Sequence, residues 1–490
     1  MSDSNTPSSS DNEEGVWSEE GFHRQSTREP TPEQAKKWSK THSELIEQDV
    51  EYCLAAFVDV HGRIKSKAVP IDEESRFVDM MKGSELYTGA ANDGLGGLVG
   101  EQNPIDDEIS AWPDSDAITV LPWRDNVAWA PSFLHLHGEP YSLGSRNLLQ
   151  QQVDRAREMG YKMNLGIEVE YYLIRETDDG EIIGANPEDD LERACYDVEA
   201  LLDQFDYQEQ MREYLDEMGW DVVSLVHEDA DNQFEFDLHY DDCMTTSDRM
   251  ILLRMMARRV AKDAGHDVTF IPKPFDDRTG TGGHFNMSLA DADTGQNIFL
   301  SESDDRGLGI SETGYQFMAG IMKHLPAITA VAAPTVNSYK RLIASGSMTG
   351  YTWAPVYISY GDNNRSHSVR VPTKSPRIEV RSVDLTTNPY LASAMFLGAG
   401  LDGIEKELDP GDPIDDNMWE LSEEELDERG IETLPRTLLE AIEAFEDDPV
   451  TDSILGEKFS EEYVELKKQE WWDYHHTVSD WELDKYIKIW

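Results

Sequence analysis

The stretch GIEVEYYLI (166–174) alternates apolar and acidic side chains, so Ile167, Val169 and Tyr171 fall on one face and Glu168 and Glu170 on the other. Side chains alternate across a strand, so this is a β-strand with one buried face and one chemically loaded face. Three more segments read the same way. In NQFEFDL (232–238), Phe234, Phe236 and Leu238 oppose Gln233, Glu235 and Asp237. In GGHFNMSL (282–289), Phe285, Met287 and Leu289 oppose His284, Asn286 and Ser288. In RIEVRS (377–382), Ile378 and Val380 oppose Arg377, Glu379 and Arg381.

One such strand alone would equally suit a solvated sheet surface. The set carries more information, because its polar positions hold several carboxylates, an imidazole and guanidiniums. If those faces converge, the carboxylates cannot all stay ionised without cations beside them. Hard divalent ions with oxygen ligands answer that need, and Mg²⁺ or Mn²⁺ fits better than Zn²⁺. Guanidiniums nearby suit phosphate and carboxylate substrates, which they grip bidentately. Phosphoryl transfer near a carboxylic acid is the expected class of chemistry.

The rest of the chain sets bounds. It has 490 residues, 98 of them acidic and 42 basic, for a net charge of −56. With 39% hydrophobic residues and 12 Trp it has enough apolar material for a large core. Nucleic acid and anionic membranes are excluded as general partners, since both require basic surface. No apolar run approaches the ~18 residues of a membrane span. The start, MSDSNTPSSSDNEEG, has neither a basic end nor an apolar run, so no signal peptide is expected. Cys53, Cys195 and Cys243 are far apart and odd in number, which argues against a disulfide framework. A cytoplasmic location is expected.

Along the chain, residues 1–30 read as a disordered acidic tail. A helix is expected from Thr31-Pro32. Two strands should follow around a His61-Gly62 turn, then a Gly-rich loop at NDGLGG (92–97) and further strands. A helix opening near Arg146 places a domain boundary at about residue 144, and the last hundred residues read as helical.

In order, these segments resemble the glutamine synthetase family. The most specific stretches are TFIPKPF (269–275), PTVNSYKRL (334–342), NRSHSVRVP (364–372) and RIEVRSVDLTTNPYLASAMFLGAGLDGI (377–404). The similarity runs from about residue 52 to the C-terminus. It implies an α+β fold, with a helix and small β-grasp domain over 31–143. Residues 144–490 would form a catalytic domain whose curved antiparallel sheet makes a funnel flanked by helices.

The resemblance also implies roles. One metal would be held by Glu170, Glu228 (in VHED, 226–229) and Glu235, and a second by Glu168, His284 and Glu379. ATP would meet Asn286, Ser288, Arg370 and Arg377, and glutamate would meet Gly280, Arg341, Arg365 and Arg381. Arg365, Arg370 and Asp93 would take part in catalysis. Two or more Mg²⁺ or Mn²⁺ ions and ATP would serve a two-step ligation. Glutamate becomes γ-glutamyl phosphate, and an amine then displaces phosphate. The implied assembly is a homo-oligomer, a dodecamer with active sites between subunits.

The chain departs from the family where the nucleophile binds. The family follows NSYKRL with a Pro-Gly-x-Glu-Ala-Pro flap whose Glu helps to deprotonate ammonium. Here the chain reads IASGSMTGYTW (343–353), with no acid. The family's Asp-Gly-Ser-Ser loop has only NDGLGG as a counterpart, with Asp93 in place of its Asp. Thr279 stands where an Asn precedes Gly280, and 231–235 reads DNQFE instead of Pro-Gly-Gln-Glu. No counterpart of an adenylylated Tyr occurs near NMWELSEEEL (417–426). Less negative charge and smaller flap residues weaken selection of NH₄⁺. The expected nucleophile is therefore an organic amine, with a polyamine as one candidate. Glutamine synthesis from ammonia is the alternative, and a non-catalytic binding or regulatory relative is the alternative from another class.

The acidic excess runs through the whole chain, in DEES, EDDLE, EEELDE and FEDD. Such a surface repels itself unless salt screens it, and the Debye length shrinks to ~3 Å at 1 M. This is the pattern of a protein from a salt-rich cytoplasm. Dialysis below about 0.1 M salt should unfold it, followed by circular dichroism, and full stability there would contradict that origin.

Overall fold

A computed structural model describes residues 27–89, 91, 107–191, 193–343, 353–372 and 375–490. Most of the expected acidic tail, the Gly-rich stretch with Asp93, and nearly all of the 343–353 flap lie outside the described residues.

The expected helix, Pro32–Glu47, begins where its signals place it. Thr31 caps the Gln34 amide, the Gln34 side chain returns to the Thr31 amide, and Pro32 occupies the first turn. A seven-stranded sheet follows, made of β1 (Tyr52–Val58), β2 (Ile64–Pro70), β3 (Leu86–Tyr87), β4 (Ile109–Pro113), β5 (Thr119–Leu121), β6 (Arg124–Leu136) and β7 (Glu139–Pro140). Its order is β2-β1-β6-β4-β3, with β5 and β7 also paired to β6. β1 and β2 are antiparallel around the His61-Gly62 turn, with Val58 opposite Ile64. The buried Asp59 carboxylate closes that turn by accepting from the His61 amide at 3.0 Å and the Arg63 amide at 2.8 Å. Gly62 supplies the positive φ of +77° that other residues resist. One face of this sheet buries Trp38, Cys53, Ile71, Phe77 and Met80 in a core of its own.

Among the described residues the second sheet has ten strands: β8 (Tyr161–Glu176), β9 (Ile182–Gly184), β10 (Val222–His227), β11 (Gln233–Leu238), β12 (Asp241–Asp242), β13 (Asp267–Thr269), β14 (Phe285–Asp291), β15 (Tyr360–Asp362), β16 (Val369–Val371) and β17 (Ile378–Val380). Its path is β10-β11-β8-β14-β17-β16-β15, antiparallel along that path except for the parallel β15–β16 pair. The apolar face of β8, with Leu165, Val169, Tyr171 and Leu173, is almost wholly buried. Tyr171 stacks on Phe236 of β11 at 5.4 Å, and Phe285 of β14 meets Phe396 at 5.5 Å. Burying each such side chain contributes about 1.5–3 kcal/mol.

Behind that face lie the helices Ser145–Glu158, Cys243–Asp263, Glu312–Ala332 and Pro389–Glu405. The last two pack closely enough that a Cβ on Gly320 would lie 2.1 Å from the Ala399 carbonyl. The C-terminal segment is helical to Tyr486, and among the described residues no helix is long and apolar enough to cross a membrane.

The two sheets are tied by buried polar contacts. Ser145 donates to the Val58 carbonyl at 3.1 Å, and Asn388 donates to the Asp59 carbonyl at 2.9 Å. Arg146 is 4% exposed and bonds Asp248 through two nitrogens, at 3.0 and 2.9 Å, and Asp114 at 2.9 Å. Burial alone would lower its pKa, but the Asp248 carboxylate raises it. Tyr390 adds a hydroxyl bond to Asp248 at 2.5 Å. Removing one side of a buried pair leaves the other charge stranded. Asp248→Ala should therefore cost about 3–5 kcal/mol, read as a lower urea midpoint.

Candidate active site

Register assembles the site. Strand β11 pairs with β8 so that Glu235 lies opposite Glu170 and Asp237 opposite Glu168. On the other side of β8, β14 brings His284 beside the two glutamates, and β17 places Glu379 opposite Asn286. Directly paired residues point to the same face. The four alternating segments thus converge on one surface.

His284 Nδ1 lies 2.7 Å from Glu168 Oε2 and 4.0 Å from Glu379 Oε1, while its Nε2 is 3.6 Å from Glu170 Oε1. One ligand atom each from Glu168, His284 and Glu379 fall within 4.8 Å of one another, the only such group among the described residues. Glu170, Glu228 and Glu235 border the same cavity. Glu228 sits in the turn after β10, its amide bonded to the Gln233 carbonyl at 2.8 Å.

Without cations this cluster is electrostatically unsatisfied. Burial and then Glu170 push Glu228 up to about 8. Burial, with Glu228, Glu168 and Glu170 close by, holds Glu235 well above the usual carboxylate range. Asp237 is raised too, by burial against a hydrogen bond from Ser224. Burial, aided by Arg381, depresses His284 to about 3 and keeps its imidazole neutral, the form that binds a metal. Repelling carboxylates and a neutral imidazole are a donor set that fits hard divalent cations.

The arginines divide by what they hold. Glu379 is fully buried and takes Arg370 Nη1 at 2.6 Å on one oxygen and Arg381 on the other. Arg341 is buried and donates to the Ser382 and Arg381 carbonyls at 3.2 and 3.0 Å, so it fixes the strand that carries Arg381. Arg365 stands exposed at the cavity rim. A Cβ on Gly280 would meet the Pro272 carbonyl at 2.6 Å, and the Gly280 carbonyl accepts from Gln233 at 3.1 Å.

Two cavities meet here. One, of about 420 Å³, holds all six candidate metal residues except Glu379, together with Gly280, Arg341, Arg365, Arg370 and Arg381. The other, of about 530 Å³, is lined by Asn286, Ser288, Arg377, Gly166 and Tyr240. Glu168 and Asp237 border both. A chain of hydrogen bonds joins them, from Arg377 Nε to Asn286 at 2.8 Å and from Asn286 to Glu168 at 2.9 Å. The expected ATP residues thus split, with Arg370 on the first cavity and the other three on the second.

Some lining residues had no assigned role. Asp237 was legible, since it continues the period-two pattern of Glu235. Cys195, Tyr196 and Trp353 come from irregular segments, which carry no periodic signal. Asp229 is bonded by the Thr279 hydroxyl at 2.7 Å, so the threonine found in place of an asparagine is tied to the cavity wall.

The model of the glutamine synthetase catalytic domain matches residues 142–486. The chain is 39% identical over 451 residues to a glutamate–methylamine ligase of Methyloversatilis universalis, covering 92% of this chain and 99% of that one. It is 36% identical over 450 residues to a glutamine synthetase of Halobacterium salinarum, covering 90% and 94%. A solved structure described as a GmaS/ADP complex superimposes with a TM-score of 0.83 at 35% identity, covering 91% of this chain and 99% of that one.

The raised carboxylates make metal binding proton-linked, because ligands must be ionised. Between its ordinary value of 4.5 and about 8, the folded chain keeps a proton on Glu228 that the unfolded chain releases. Stability of the metal-free protein should therefore fall as pH rises through that window. Mg²⁺ added at pH 7 should displace at least about one proton per chain. Calorimetry in buffers of differing ionisation enthalpy reads this directly, and Glu228→Gln should reduce the release.

Proposed function

The chain belongs to the glutamine synthetase family, and we propose that it is an ATP-dependent ligase joining glutamate to a small alkylamine. The observation that carries this is the meeting of two cavities at one carboxylate cluster, with guanidiniums on the side where an acyl phosphate would form. Two divalent ions, Mg²⁺ or Mn²⁺, would be held by Glu168, His284 and Glu379 and by Glu170, Glu228 and Glu235. When bound they supply charge neutralisation for the transferring phosphoryl group.

The chain's own residues do the rest. Asn286, Ser288 and Arg377 bind the nucleotide in the second cavity, so that its γ-phosphate reaches the Glu168–Asp237 border. Gly280, Arg365 and Arg381 orient glutamate in the first, with Arg341 bracing the Arg381 backbone. Arg370 and Arg365 stabilise negative charge on the transferring phosphoryl group. The γ-carboxylate oxygen attacks phosphorus, ADP leaves, and an amine then displaces phosphate from the acyl carbon. Asp93 would serve the amine site, from a neighbouring subunit of a dodecamer. On the same reading the chain divides near residue 144 into its two domains.

The amine is where this chain differs from a glutamine synthetase. The flap at 343–353 has no carboxylate to hold and deprotonate ammonium. Tyr196 and Trp353 line the first cavity beside Glu228 and Asp229. Aromatic faces next to carboxylates suit an alkylammonium, whose methyl group needs apolar contact and whose charge needs a π-face or an anion. The methylamine ligase among the relatives supports the same reading. A polyamine would need a second anionic anchor further out.

An ADP-release screen over ammonia, methylamine, ethylamine and putrescine tests this. Methylamine should exceed ammonia in kcat/KM by at least about tenfold, or ~1.4 kcal/mol in the transition state. Ammonia as the best nucleophile would make the chain a glutamine synthetase with an altered flap.

A further inference from the structure

A third cavity, of about 740 Å³, lies between the β1–β2 turn and the helical side of the second sheet, and shares no residue with the other two. Arg63 enters it from the turn, Arg254 and Arg258 from the helix Cys243–Asp263, and Lys467 from the helix Glu457–His476. Among the described residues, Glu470 is the only carboxylate in its lining, and it pairs with Lys467 at 2.9 Å.

Among the described residues, none of the three guanidiniums hydrogen-bonds or ion-pairs with a carboxylate. Arg254 donates to main-chain carbonyls alone: Leu385 at 2.9 Å, Thr387 at 3.1 Å and Gly62 at 3.2 Å. Arg258, one turn further on, makes no hydrogen bond or ion pair from its side chain among the described residues, and neither does Arg63. Asp59 lies close enough to favour the Arg63 and Arg254 charges, and Asp384 the Arg254 charge, but Asp59 is 3.6 Å from Lys65 and Asp384 bonds Thr386. Burial, and then Arg258, push Arg254 down to about 10.

The chain carries 98 acidic and 42 basic side chains, so a site where arginines gather without a bonded carboxylate stands against the prevailing charge. Three arginines that face one cavity without one are a concentrated positive potential. Like charges in a partly dry space repel, and an incoming anion relieves that repulsion through charge-assisted hydrogen bonds. Ile251, Met255, Val331, Leu391 and Tyr463 make the remaining wall apolar. The volume falls within the range of small-molecule pockets.

We propose that this cavity binds a small organic anion with at least two negative charges, a polycarboxylate or a phosphate ester. Arg63 and Arg258 contact the charged groups, and the apolar wall takes the carbon skeleton. Arg254 serves as a latch. It already ties the first sheet's Gly62 carbonyl to the Leu385–Thr387 segment, which follows Arg381 closely in the chain. The inference does not depend on which amine the active site uses.

Calorimetric titration of the full, metal-free chain at constant ionic strength tests it, with citrate as the polycarboxylate probe and ribose 5-phosphate as the phosphate-ester probe. At least one should bind, one per chain, and the one that does identifies the class. Arg63→Ala and Arg258→Ala, both at exposed positions, should each weaken it by about tenfold or more, and Arg365→Ala in the catalytic cavity should not change it. Circular dichroism confirms that the variants fold. Absence of binding by both probes overturns the proposal, as does binding that survives both alanine variants or is lost in Arg365→Ala.

Discussion

The repulsion among carboxylates on one sheet face is the constraint on which the rest of this structure depends. Glu168, Glu170, Glu235 and Asp237 come from two neighbouring strands in register, and Glu228 and Glu379 close the group. Water cannot screen them well there, so the folded chain must either protonate them or surround them with cations. It does part of each. Arg370 and Arg381 hold Glu379, while Glu228 and Glu235 are pushed towards their protonated forms. A rigid sheet holds this arrangement because its other face is a continuous aromatic and aliphatic core. The apolar residues at alternate positions therefore do more than stabilise the fold; they force like charges together.

That coupling explains how much was legible in the sequence. Period-two alternation identified β8, β11, β14 and β17 and assigned each polar side chain to the loaded face, because a one-residue slip would expose the core. The helix start at Thr31-Pro32 and the His61-Gly62 turn were equally legible, since each depends on residues adjacent in the chain. What periodicity cannot give is the partner of a charge. That Arg341 would bond backbone carbonyls, whereas Arg370 and Arg381 would share Glu379, depends on strand order. Tyr196 and Trp353 reach the cavity from irregular segments. The parallel β15–β16 pair departs from an otherwise antiparallel path, and no local pattern marks it.

The shared border of the two main cavities also limits what the site can do. Glu168 and Asp237 line both, and Asn286 links Arg377 on one side to Glu168 on the other. Anions placed in the two cavities would meet across this carboxylate-rich boundary, where their own negative charges would add to the repulsion. On the proposed function, a metal held there would ease the approach of anionic substrates as well as contribute to the chemistry.

Bulk salt and bound metal solve two separate problems in this molecule. The net charge of −56 is a surface property, spread over the chain and accessible to mobile ions. The buried carboxylates are screened much less by such ions, because field lines between them run through protein. A salt-rich solvent can therefore stabilise the folded shape while leaving the cluster protonated. At a fixed pH near neutrality, a cation that enters and is ligated displaces those protons. The folded shape should consequently respond to ionic strength, and the protonation of the carboxylate cluster to a cation ligated within it.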